Sequence, residues 1–71
     1  METGIVIFFD AQRGFGFLTC HSGASKGKDI FVHYSAIVMD GYKTLIDGAT
    51  VEFGIETGPK GKPQACNVRP L

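Results

Sequence analysis

The chain has 71 residues, 44% of them hydrophobic, and seven Lys plus Arg balance seven Asp plus Glu. That length suits one domain, residues 1–71, which buries roughly 60% of the surface its unfolded form exposes and therefore has a thin core. Zero net charge argues against a protein held to nucleic acid mainly by counterion release, since such domains are basic, and shifts any such affinity toward stacking.

Short runs of β-branched and aromatic residues, separated by glycine-rich breaks, predict a small all-β barrel. The first strand is expected over Gly4–Asp10, "GIVIFFD", where residues 5 to 9 are all apolar and alternation cannot assign an inner face. The opening "METGIVIFF" lacks the basic region and cleavage site of a secretory signal, and its apolar run is too short to span a bilayer. The second strand is expected over Phe15–Cys20, with Phe15, Phe17 and Thr19 on one face and Gly16, Leu18 and Cys20 on the other. A third, Asp29–Tyr34, sets Ile30 and Val32 against Phe31 and His33. Leu18, Ile30 and Val32 suit a core, which leaves Phe15, Phe17, Phe31 and His33 outside.

After the third strand a helical turn is expected at Ser35–Val38, with Ser35 as its N-cap. The fourth strand, Ala49–Glu56, alternates most cleanly: Val51, Phe53 and Ile55 point in, Glu52 and Glu56 out. The fifth, Gln64–Val68, is expected to turn Cys66 and Val68 inward, after the hairpin "TGPKGKP". Phe53 and Phe9 join the core. Five strands with a long third connection suit an antiparallel OB-type Greek-key barrel.

An outward row of aromatic side chains suits unpaired bases. Residues i and i+2 stand about 6.6–7 Å apart by strand rise, so neighbouring rings offer successive platforms. Stacking contributes roughly 1–3 kcal/mol per base and works for any base. Gly14 and Gly16 are expected to let a nucleotide backbone approach closely and to let the strand bend round a small barrel, and Arg13 at the rim to meet a phosphate or stack. Cys20 and Cys66, the only cysteines, are expected to be reduced thiols of a cytoplasmic protein. With His21 and His33 they match no zinc-site spacing, and the acids and histidines form no nucleophile–base set. Neither metal, cofactor nor catalysis is expected.

"RGFGF", residues 13–17, matches the first five positions of the RNP1 motif, and "IFVH", residues 30–33, resembles RNP2. RNP1 precedes RNP2 here, the reverse of an RRM. With "GIVIFFD" ahead, "HYSAI" and "GYKTLIDGATVEF" between and "GPKGKPQACNV" at the end, nearly the whole chain resembles a bacterial-type cold-shock domain. That resemblance implies a five-stranded OB-fold barrel binding single-stranded RNA and DNA, pyrimidine-rich segments above all, as a chaperone of RNA structure. Its binding positions fall at Phe8, Arg13, Phe15, Phe17 and Phe31, then at His33, Tyr34 and Tyr42, with Lys60 or Lys62 in the last hairpin. A monomer is expected, with exchange through the loop after the second strand as the route to a dimer.

The first strand departs from the family pattern Gly-x-Val-Lys-Trp-Phe-Asn. Ile7 stands for the lysine, Phe8 for the tryptophan and Asp10 for the asparagine, and each change is expected to weaken binding to a polyanion. Lys26 and Lys28, on a longer flexible loop, are the expected compensation. The rival reading is a barrel whose greasy face packs on protein or on a second copy.

Overall fold

The computed structural model describes residues 1–41 and 43–71. Five strands form a closed barrel: β1 (Glu2–Asp10), β2 (Phe15–Cys20), β3 (Asp29–His33), β4 (Thr50–Thr57) and β5 (Pro63–Pro70), in the spatial order β1-β2-β3-β5-β4. The expected all-β architecture is present. One seam differs: β3 meets β5 in parallel, through the single register pair Phe31 and Gln64, while the other four pairings are antiparallel.

The core is built from one face of every strand. Val6, Leu18, Ile30, Val32, Val51, Phe53 and Val68 are fully buried, and Ile37 and Leu45 from the long third connection close over them. Phe53 lies in this core as expected, and Phe9 packs against it partly exposed. Ile37 bridges to Val68, and Val38 N–H donates to the Val68 carbonyl at 2.8 Å, so the connection is sewn to β5.

Two β-bulges set which residues face in. On β1 the register runs Val6 to Leu18 and then Phe8 to Phe17, so Ile7 and Phe8 together oppose one partner residue. That resolves the all-apolar run: Val6 points in, Ile7 and Phe8 both emerge, and Phe9 turns back toward the core. On β5, Phe53 opposes both Asn67 and Val68, and Asn67 takes a positive φ of 51°. The extra residue shifts the alternation, so Ala65 and Val68 are buried, not Cys66 and Val68. Cys66 is half-buried outside the core, where Gly54 leaves it room.

The turn after β3 also differs from expectation. It is a 3-10 turn at Tyr34–Ala36, and its N-cap is His33, whose Nδ1 accepts from the Ser35 N–H at 3.3 Å. The cap moves back because His33 ends the strand extended, leaving its ring free to turn onto the new N–H. Among the described residues, no helix is long and apolar enough to cross a membrane.

Candidate nucleic-acid interface

Register alone assembles the outer face of β1–β3. Phe8 lies opposite Phe17, Phe17 opposite Phe31, and Phe15 opposite His33. Side chains directly across a ladder stand close enough to touch, and diagonal neighbours remain within reach of aromatic rings. The four phenylalanines accordingly form one patch. Ring centroids are 6.0 Å apart for Phe8 and Phe17, 5.7 Å for Phe17 and Phe31, 5.9 Å for Phe15 and Phe31, and 6.5 Å for Phe8 and Phe15. Phe15 and Phe31 stack at 24°, and the Phe17–Phe31 pair is edge-on at 75°.

His33 and Tyr34 extend the patch, both exposed, with centroids 4.6 Å apart. The His33 cap fixes its ring: Nδ1 lies 2.8 Å from the Ser35 hydroxyl as well as accepting from its N–H. Of the expected positions, Phe8, Phe15, Phe17, Phe31, His33 and Tyr34 are thus neighbours. Tyr42 lies outside the described residues.

The space that a Cβ would take at each of these glycines is already filled by the barrel itself. A Cβ on Gly16 would collide with the Phe8 carbonyl oxygen and stand 2.8 Å from the Phe9 Cα, so β1 already fills that space. Gly14, at φ +78°, has Tyr34 Cδ1 2.7 Å from where its Cβ would be, and Tyr34 N–H donates to its carbonyl at 2.8 Å. Both glycines bring protein against protein. Gly16 lets β1 bulge over β2, and Gly14 seats the Tyr34 ring.

Cations stand at two ends of the patch. One groove, about 570 Å³, runs between Phe17 and Phe31 on one side and Lys60, Lys62 and Pro63 on the other. A second depression, about 440 Å³, is lined by Arg13, Gly14, Tyr34 and Lys43. Arg13 keeps 75% of its side chain exposed, with Nε 3.7 Å from Asp10 Oδ2. Asp10 has a structural task, since its Oδ1 accepts from the Gln12 and Arg13 N–H groups at 3.0 and 3.1 Å and shapes the β1–β2 turn.

Sequence reasoning missed Lys43, Asp29 and Gln64. Asp29 and Gln64 line the lysine groove, and Thr19 donates to Asp29 at 3.3 Å on the same face. The signal for Asp29 was present, because it stands two residues before Phe31 on a strand. Lys26 and Lys28 are exposed but line neither depression. Their loop is also better anchored than the expected flexible arm. A 3-10 turn at Gly23–Ser25 shapes it, Gly27 N–H closes on the Cys20 carbonyl at 2.8 Å, and Ser22 Oγ accepts from the Thr3 N–H of β1 at 2.9 Å. Among the described residues no three His, Cys, Asp or Glu side chains cluster to hold a metal ion.

Residues 2–71 match the family described as the 'cold-shock' DNA-binding domain. The cold shock-like protein CspA of Stigmatella aurantiaca is 51% identical over 71 residues, covering 100% of this chain and 98% of that protein. The cold shock-like protein CspB of Yersinia pestis is 56% identical over 66 residues, covering 93% and 89% of the two chains. A cold shock-like protein of Thermotoga maritima is 50% identical over 66 residues, covering 93% and 92%. Among solved structures, drosophila Unr CSD456 superposes with a TM-score of 0.71 at 24% identity, over 99% of this chain and 26% of that one, a likeness of fold.

Proposed function

This chain belongs to the 'cold-shock' DNA-binding domain family, and from that premise we propose that it binds single-stranded RNA and DNA by stacking unpaired bases on the outer face of β1–β3. The observation that carries the reading is the contiguous patch of Phe8, Phe15, Phe17 and Phe31 on the outer face of three adjacent strands, Phe8 exposed and the other three half-buried, flanked by His33 and Tyr34. A protein of this size rarely leaves such a patch without a ligand. The four rings stack the bases, His33 and Tyr34 continue the platform, and Tyr42 is proposed as a further binding residue. Arg13 at one end and Lys60 and Lys62 at the other meet phosphates. Asp29 and Gln64 offer hydrogen-bonding groups to base edges in the lysine groove.

Melting or restraining RNA secondary structure follows from this binding, because a stacked base is unavailable for pairing. The chain acts as one monomeric module in the cytoplasm, on pyrimidine-rich single strands, without cofactor or catalysis. Replacing Phe31 by Ala tests the reading. A hexamer of dT should bind about fivefold to a hundredfold more weakly, at roughly 1–3 kcal/mol per stacked base, while the variant stays folded because Phe31 lies outside the core. Unchanged affinity in a folded Phe31→Ala protein would contradict it.

A second reading, self-association, is favoured by the exposure of Ile7, Phe8 and Ile46 at 47%, 40% and 75%. Its signature would be a dimer formed without oligonucleotide.

A further inference from the structure

Beyond Ile5, β1 has no strand beside it on its β4 side, because pairing with β4 covers residues 2–5 alone. The turn at residues 46–49 takes over there. Val6 N–H donates to the Ala49 carbonyl at 2.9 Å, and Gly48 N–H donates to the Val6 carbonyl at 2.7 Å. Phe9 N–H donates to Asp47 Oδ1 at 3.1 Å. Successive amides of a regular strand point to alternate sides, so Val6 and Phe9, three residues apart, would face opposite ways. Here both face the same turn. The bulge permits this, because Ile7 enters as an extra residue between the pairs Val6–Leu18 and Phe8–Phe17.

A β1 without the bulge would continue from Val6 and Leu18 by pairing Ile7 with Phe17 and Phe8 with Gly16. A period of two would then turn Phe8 inward with Val6 and leave Phe9 outside, the inverse of the observed arrangement. Both residues are phenylalanine, so side-chain type does not choose between the two registers. The main chain does. In the regular register the Phe9 N–H faces β2, and only the bulged one brings it to Asp47.

Resting on the stacking reading above, we propose that Asp47 is a positioning residue. By accepting from the Phe9 N–H it holds the bulged register, which places Phe8 rather than Phe9 on the ligand face beside Phe15 and Phe17. Its negative charge acts the other way, since it repels a polyanion. Acceptor and charge therefore have opposite effects on affinity, and substitution separates them.

Equilibrium binding of a dT hexamer by Asp47→Asn and Asp47→Ala tests the assignment. Asn keeps an acceptor oxygen and drops the charge, so Asp47→Asn should bind at least as tightly as the native protein. Asp47→Ala is equally neutral and should bind about threefold more weakly than Asp47→Asn, within the range of one hydrogen bond. Its Phe9 amide should also exchange with solvent about threefold faster than in Asp47→Asn. Both variants keep the core, because Asp47 is exposed and Val6 retains its two main-chain bonds to the turn. In a Phe8→Ala background the difference between Asn and Ala at position 47 should vanish, which a general loss of stability would not produce. Equal hexamer affinities of Asp47→Ala and Asp47→Asn, or a difference that persists without the Phe8 ring, overturns the assignment while leaving the stacking reading intact. A native protein that does not bind the hexamer overturns both.

Discussion

Gly16 faces the backbone of β1 at the point where that strand bulges, and no side chain fits between them. Its absent Cβ would meet the Phe8 carbonyl and the Phe9 Cα, both main chain, so neither can swing away as a flexible side chain would. Gly16→Ala should therefore cost about 2 kcal/mol or more as overpacking. A thermal unfolding experiment should show Tm lowered by about 10 °C in a domain of this size. A fall of less than about 2 °C would mean that the two strands can part without penalty. Gly14, at φ +78°, has the Tyr34 ring where its own Cβ would stand. The alternation of glycine and phenylalanine in "RGFGF" thus has a divided purpose. The glycines fit the barrel to itself, and the phenylalanines face outward.

At the scale of strands, what could be read in the chain was what alternation fixes. Leu18, Ile30 and Val32 buried against Phe15, Phe17, Phe31 and His33 outside follows from a period of two, and the register bears it out. Alternation failed where an extra residue enters. On β1 five consecutive apolar residues hid the bulge, since Ile7 inward and Ile7 outward look identical in sequence. On β5 the bulge moved burial from Cys66 to Ala65, and its only trace was Asn67, a residue type that tolerates positive φ. The parallel β3–β5 seam was illegible for a different reason. It depends on how the long connection carries the chain across the barrel end, with Ile37 and Leu45 packed into the core, and no local pattern encodes that path. Candidate site residues on strands were legible because strand geometry presents them. Lys43, on that connection, was not.

At the scale of the whole molecule, zero net charge and a small number of cations beside the patch decide how binding responds to salt. Arg13, Lys43, Lys60 and Lys62 line the two depressions. At roughly 0.7 per neutralised phosphate, log K against log salt should fall with a slope of about 3 or less. A slope above about 4 would mean that charge, recruited from elsewhere on the surface, holds the strand. The barrel itself supplies a natural control for location. The β4 side presents the acidic Glu52, whereas Glu56 accepts from Gln64 Nε2 at 2.9 Å beside the lysine groove. The most direct test of the stacking face is an NMR titration of the labelled protein with a short dT oligomer, beside a duplex of the same length. Saturable shifts should concentrate on the rings of Phe8, Phe15, Phe17, Phe31 and His33, with little response to the duplex. Shifts centred on β4, or rings that stay unmoved as the oligomer binds, would contradict binding on the aromatic face.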